Sequence, residues 1–202
     1  MNAPLPADGL SMARALRATV HRHAAACEQA RTLVPELVQA LWDGGLMQWM
    51  NPRVAGGQEP GFREMIDTWQ EMAWQDGSFG WIGIANLPSA AFAAAYLPEA
   101  GFQEVFAAHD NRVTLAGQFA PNGLGHRVEG GYRVSGAWSF GSGSGHSEYV
   151  VGGFIPMLEG QMQMAEGGLP VMLIAVFPRA ELDFTDGWFV QGLKGTGSFA
   201  YN

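Results

Sequence analysis

Residues Gly131–Gly143 read GYRVSGAWSFGSG. Tyr132 and Val134 alternate with Arg133 and Ser135, the period of a half-buried strand, and the strand runs into a turn built from Trp138, Phe140, serines and glycines. A second glycine signature, GLKGTGS, spans Gly192–Ser198. Working outward, residues Arg112–Phe119, Tyr132–Phe140, Glu148–Phe154 and Leu169–Phe177 are short β-type runs parted by glycine or proline turns, with Glu129-Gly130-Gly131 as the clearest hairpin. That pattern predicts an antiparallel β-barrel or sandwich.

Upstream the periodicity changes. Ser11–Arg31 is helical by composition, and Pro35 suits the first turn of a helix whose Leu37, Val38, Leu41 and Trp42 share a face before Gly44-Gly45. Asn51–Pro60 reads as a loop. Phe62, Ile66, Trp69 and Ala73 keep the spacing of a buried stripe, ended by Asp76-Gly77. From Ser78 the segment SFGWIGIANLPSAAFAAAYLP is apolar on every side, which predicts a fully buried helix kinked or divided at Pro88. Pro98 opens a short helix, and His109-Asp110-Asn111 breaks it. Helices first and strands second give an α+β chain: an N-terminal α-helical domain over residues 1–110 followed by a β domain over 111–202. Gly141–Gly145 and Glu159–Gly168 read as mobile loops.

The 202 residues are 48% apolar, enough for a packed core. A net charge of −8 without a Lys/Arg cluster repels phosphate backbones and anionic surfaces, so nucleic acid and membrane are excluded as partners. Cys27 has no cysteine to pair with, and MNAPLPADGL at the N-terminus lacks the basic start and apolar run of a secretory signal. The longest apolar run, Val171–Phe177, is far below the roughly 20 residues of a membrane helix. A cytoplasmic location follows. His21 and His23 diverge on a helix and have no Cys or carboxylate beside them, so no metal site is expected. His109 and His146 read as exposed loop histidines. Gly141–Gly145 lacks both the spacing of a dinucleotide fingerprint and that of a nucleophile elbow.

An aromatic wall beside small hydroxyl and amide donors suits a flat, mostly apolar ring with one hydrogen-bonding edge, which is the shape of a flavin. Trp138, Ser139, Phe140 and Ser142 supply such a wall. These motifs, together with Asp76-Gly77-Ser78-Phe79-Gly80-Trp81 and GLKGTGS, resemble the acyl-CoA dehydrogenase-like flavoproteins, and among them the two-component flavin-dependent monooxygenases. The resemblance runs from about Arg31 to the last residue.

It implies several things. Flavin, as FMN or FAD supplied reduced by a partner flavin reductase, would contact Gln118, Phe119, Trp138, Ser139, Phe140 and Ser142. Trp81 would wall the pocket of an aromatic or heteroatom-bearing small-molecule substrate. The chain would cover the first two of the family's three parts, the C-terminal helical bundle being absent and with it the catalytic residue, so that no catalytic side chain is assigned here. Apolar faces left bare would then drive homo-oligomerisation. Where the dehydrogenase branch carries Thr-Glu-Pro-x-Ala-Gly-Ser-Asp, this chain has Gln118–Gly125, QFAPNGLG, keeping only the proline. An FAD-dependent acyl-CoA dehydrogenase and a non-catalytic remnant or subunit needing a second polypeptide stand as the alternatives.

Overall fold

The computed structural model describes residues 8–202; residues 1–7, part of the N-terminal stretch discussed above and of the 1–110 unit, lie outside the described residues. Six α-helices come first: α1 (Gly9–Ala15), α2 (Arg17–Ala30), α3 (Pro35–Asp43), α4 (Phe62–Gln75), α5 (Gly77–Tyr96) and α6 (Glu99–Val105). Eight strands follow: β1 (Leu115–Val128), β2 (Gly131–Gly136), β3 (Trp138–Gly141), β4 (Tyr149–Leu158), β5 (Gln161–Met162), β6 (Leu173–Pro178), β7 (Phe184–Thr185) and β8 (Phe199–Tyr201).

Helix α5 organises the first half. Asp76 caps it by accepting from the Phe79 N–H at 2.9 Å, satisfying one of the free donors of the first turn. Its buried face carries Phe79, Ile82 and Leu87 into a core with Leu37, Leu41, Trp49 and Met72. Gly80 lets the helix lie directly on α4, since a Cβ there would sit 2.4 Å from the Ala73 Cα. Farther along, Ala90, Ala93 and Ala94 join Phe106, Leu115 and Val151 in a second core that binds helices to sheet. Between α2 and α4, Glu71 accepts from Arg17 Nε at 2.6 Å and, within α4, from Gln75 at 2.9 Å. The Arg17 guanidinium holds its carboxyl below the ordinary 4.5, at about 2.

Two expectations for α5 are corrected. Pro88 does not divide it: the helix runs from Gly77 to Tyr96 with the proline inside. It is also not buried on all sides: Trp81, Ile84, Phe92 and Tyr96 stand exposed along one face, at 42%, 43%, 41% and 74%. An all-apolar helix reads as enclosed; here one apolar stripe faces a groove instead.

The strands form two sheets, and neither closes into a barrel among the described residues. The larger has the order β2-β1-β4-β5, with β6 also paired to β4; the smaller is β3-β8-β7. The hairpin at Glu129–Gly131 is present, with Gly123↔Gly136 to Val128↔Gly131 in register. The antiparallel expectation fails at the centre, where β1 and β4 pair in parallel from Leu115↔Tyr149 to His126↔Met157. The intervening hairpin, β3 and the 142–148 loop make the crossover, a non-local pairing that strand periodicity does not encode. Tyr201 of the smaller sheet ties the two together: its hydroxyl donates to the Val151 carbonyl at 2.6 Å and accepts from the Gln118 N–H at 2.9 Å. Burial pushes its phenol pKa well up, so it stays protonated.

The two segments read as mobile loops carry structure. Gly143 N–H donates to the Thr196 carbonyl at 2.8 Å, Ser144 Oγ to the Gly197 carbonyl at 3.1 Å, and Arg179 Nε to the Ser144 carbonyl at 2.7 Å. Glu159–Gly168 contains β5, which pairs with β4, and Met164, which bridges to Pro170 beyond the segment.

Candidate functional site

Between the exposed stripe of α5 and the strands lies a groove of about 520 Å³, within the usual size of a small-molecule site. Trp81, Ile84, Ala85, Pro88, Ser89 and Phe92 form the helical wall at the i, i+3, i+4, i+7 spacing of one face. Gly117 and Phe119 come from β1, Phe140 and Ser142 from β3 and the turn after it, and Trp188, Leu193, Thr196 and Ser198 from the segment leading into β8. No lining side chain is ionisable in the range of charge chemistry, so the groove suits an uncharged plate.

Two groove residues hold costly backbone. Phe140 and Leu193 have φ of 59° and 56°, the left-handed region that bulky side chains avoid. They are the only apolar non-glycine residues with positive φ among the described residues. Such strain survives only where the surroundings impose it, and it concentrates at sites. At Phe140 it turns the ring, 63% exposed, out of the strand and edge-on to Trp188 at 6.3 Å. Phe140→Gly should therefore leave thermal unfolding unchanged or raise its midpoint slightly, by relief of about 1 kcal/mol, while flavin affinity falls. Calorimetry and flavin titration of the same variant check both halves.

The polar floor is a chain of hydroxyls. Trp81 Nε1 donates to Ser142 Oγ at 2.8 Å; Ser142 and Ser198 Oγ lie 2.7 Å apart; Ser198 Oγ and Thr196 Oγ1 lie 2.8 Å apart; Thr196 Oγ1 donates to the Leu193 carbonyl at 2.9 Å. Each hydroxyl has one hydrogen. Thr196 spends its own on a carbonyl, so Ser198 must donate to Thr196, and Ser142 to Ser198. The direction is fixed from end to end. What remains for a ligand is lone pairs only, so this floor recognises N–H or O–H donors.

The residues read from the sequence divide. Phe119, Phe140, Ser142 and Trp81 meet at the groove. Gln118 does not line it, and its side-chain carbonyl accepts from Asn122 at 2.8 Å. Ser139 is half-buried and also outside the lining set. Trp138 is 3% exposed, stacked on Tyr201 at 5.6 Å and bonded through Nε1 to the Gly153 carbonyl at 2.9 Å. It borders a separate depression with Tyr132, Phe177 and Leu182 rather than this groove. Its indole belongs to the β core, and the aromatic wall passes to Phe140, Trp81 and Trp188.

Sequence reading missed Ile84, Phe92, Trp188, Thr196 and Ser198. The α5 stripe was available from its spacing alone, and Thr196 and Ser198 sit inside the glycine signature already singled out. His146 was read as exposed, yet it is half-buried, with Nδ1 enclosed and Nε2 3.1 Å from Asn86 Oδ1; loss of hydration drops its pKa to about 4. His109 Nε2 lies 3.2 Å from the Tyr149 hydroxyl. Among the described residues no cluster of three or more His, Cys, Asp and Glu side chains could hold a metal ion, and no helix is long and apolar enough to cross a membrane.

Sequence and fold set this chain beside the oxygenase components of flavin-dependent monooxygenases. It is 31% identical over 184 residues to a flavin-dependent monooxygenase, oxygenase subunit HsaA, of Mycobacterium tuberculosis, covering 89% of this chain and 43% of the relative. It is 32% identical over 172 residues to a pigment production hydroxylase of a Rhodococcus species, covering 85% and 42%. The crystal structure of the M. tuberculosis HsaA monooxygenase superposes with a TM-score of 0.85 at 28% identity, over 96% of this chain and 50% of that one. XiaF from a Streptomyces species, solved with FADH2 and glycerol, gives 0.81 at 25% identity, over 96% and 47%. The chain spans about two fifths of the length of these curated relatives. No family model matches it.

Proposed function

We propose that this chain is the flavin-holding part of the oxygenase component of a two-component monooxygenase, in the acyl-CoA dehydrogenase-like superfamily, acting on an aromatic or heteroatom-bearing small molecule. Residues 1–110 supply the helical wall and 111–202 the strands, and FMN or FAD arrives reduced from a flavin reductase. Relatives named as a resorcinol hydroxylase and an indole-3-acetate monooxygenase support an aromatic substrate. The longer relatives and the bare α5 stripe support a further helical part over Trp81, Ile84 and Phe92 in the complete oxygenase, and with it a homo-oligomer.

One observation carries the reading: an uncharged, aromatic-walled groove whose floor offers only acceptors. An isoalloxazine fits it, being flat and apolar with an edge that includes N–H donors. Bound there, reduced flavin would supply the two electrons that activate oxygen. Phe140, Trp188 and Trp81 would exclude water from the ring, and the Ser142–Ser198–Thr196 row would hold its donor edge. Reduced flavin bears at least one more ring N–H than the oxidised form, so the floor favours the reduced state.

Anaerobic titration of reduced flavin should give an affinity about tenfold tighter than oxidised flavin, one added hydrogen bond in a dry site. Ser142→Ala should shrink that ratio while leaving far-UV circular dichroism intact. Equal affinities in the unaltered chain, or a ratio that Ser142→Ala does not change, would remove the acceptor floor as the basis of recognition.

A further inference from the structure

A second groove, of about 530 Å³, lies on the other flank of the 142–148 loop, where the α2–α3 connection meets the start of β4. Leu33, Val38 and Trp42 give it an apolar floor. At its rim Arg112 lies over the Trp42 ring, its guanidinium carbon 4.8 Å from the ring centroid. That contact is with the ring face and leaves the guanidinium N–H donors free for a further partner. No carboxylate pairs with Arg112 among the described residues. Glu148, which also borders the groove, is turned onto Thr114: one oxygen accepts from the Thr114 N–H at 2.7 Å and from its hydroxyl at 2.8 Å.

The inner end is defined by His146. Asn86 Nδ2 donates to the Leu115 carbonyl and to Ser147 Oγ, so the amide orientation is fixed and Oδ1 is left as an acceptor. His146 Nε2 must then carry the hydrogen it gives to Asn86, and Nδ1 is a bare lone pair. That Nδ1 is buried and has no hydrogen-bond partner, and the same is true of Oγ1 of Thr32, which also lines the groove. Buried polar atoms are nearly always satisfied, so two unsatisfied ones bordering a single groove indicate that something polar completes it.

We propose that this groove is a second ligand site, separate from the flavin groove, for a small organic carboxylate: the carboxylate on the Arg112 fork, an apolar body on Leu33, Val38 and Trp42, and a hydroxyl or N–H donor reaching His146 Nδ1. A planar fork matches a carboxylate through two parallel hydrogen bonds, which an isolated spherical anion does not reproduce. The neutral imidazole selects a donor, so charge alone does not describe the ligand.

The test uses the full chain, with benzoate, benzamide, the three monohydroxybenzoates and inorganic phosphate as probes, read by amide chemical shifts. Saturable shifts at Thr32, Arg112 and His146 are expected with benzoate and not with benzamide, and at least one hydroxybenzoate isomer should bind more tightly than benzoate. Arg112→Gln, at an exposed position that leaves the fold intact, should weaken the tightest probe by about tenfold or more, with Arg112→Lys between the two. Non-saturating shifts, binding unaffected by Arg112→Gln, phosphate binding as tightly as benzoate, or no isomer exceeding benzoate would each overturn the proposal. Flavin titration is a separate readout, so loss of this site and loss of the flavin reading are distinguishable.

Discussion

Trp138→Ala is expected to lower the free energy of unfolding by about 4 kcal/mol, in the range of large aromatic truncations in cores, and to lower the thermal midpoint by roughly 10 °C for a chain of this size. The surroundings explain why the cost falls at the high end. Three glycines from three strands form the slot around the indole: a Cβ added at Gly123, Gly136 or Gly152 would stand 2.6–2.8 Å from its ring atoms. Glycines have no side chain with which to collapse into the space a missing indole leaves, so the cavity persists and its lining loses contact outright. The Gly153 carbonyl also loses the indole N–H it accepts from. Gly152→Ala approaches the same slot from the opposite direction and should destabilise by overpacking against the indole and Phe177. Chemical denaturation with both variants is the check. If Trp138→Ala unfolds at the same denaturant concentration as the unaltered chain while losing flavin, the indole is a ligand wall after all.

That outcome turns on a detail the sequence does not carry. Trp138 and Phe140 are two apart, and in a regular strand both side chains would point the same way. The structure breaks the alternation: pairing of β3 with β8 shifts between Trp138 and Gly141, and Phe140 adopts φ of 59°. One ring goes into the core and the other out to the groove. Composition places both rings at one turn, and the backbone at Phe140 sends them to different sides. The strand ahead of it was legible in full, because Gly131–Gly136 is a hairpin arm whose register is set locally by its turn. The parallel β1–β4 pair was not, since it joins residues more than 30 positions apart and follows from the topology of the sheet.

The same contrast holds for the site. Trp81, Phe119, Phe140 and Ser142 were found through motifs, whereas Thr196 and Ser198 were passed over as turn residues. Their chemistry exists only because the 194–198 turn folds onto Ser142, two segments about 50 residues apart in sequence. Helix α5 shows the reverse problem. Its uniform hydrophobicity conceals the difference between the face that packs on α4 and the face that lines the groove, and tertiary contacts alone make that difference.

Acid should unfold the chain in a window set by His146. The residue is half-buried, with Nδ1 enclosed and Nε2 on Asn86, and its pKa is held at about 4 against an ordinary 6.5. In the unfolded chain the imidazole takes up a proton below 6.5; in the folded chain it does so only near 4. The unfolded state therefore binds more protons across this interval, and stability falls as pH drops from 6.5 to 4 and levels off below it, a loss of about 3 kcal/mol. Glu71 acts lower. Its depressed carboxyl contributes stability fully above 4.5 and loses it as pH falls towards 2, so the two losses adjoin. His146→Gln can still donate an N–H to Asn86 but takes up no proton, and it should flatten the stability profile between pH 6.5 and 4.5 while keeping the fall below that range. Urea midpoints measured every half pH unit for the two chains decide it: parallel curves would mean that His146 is already accessible to solvent and that the acid sensitivity comes from elsewhere.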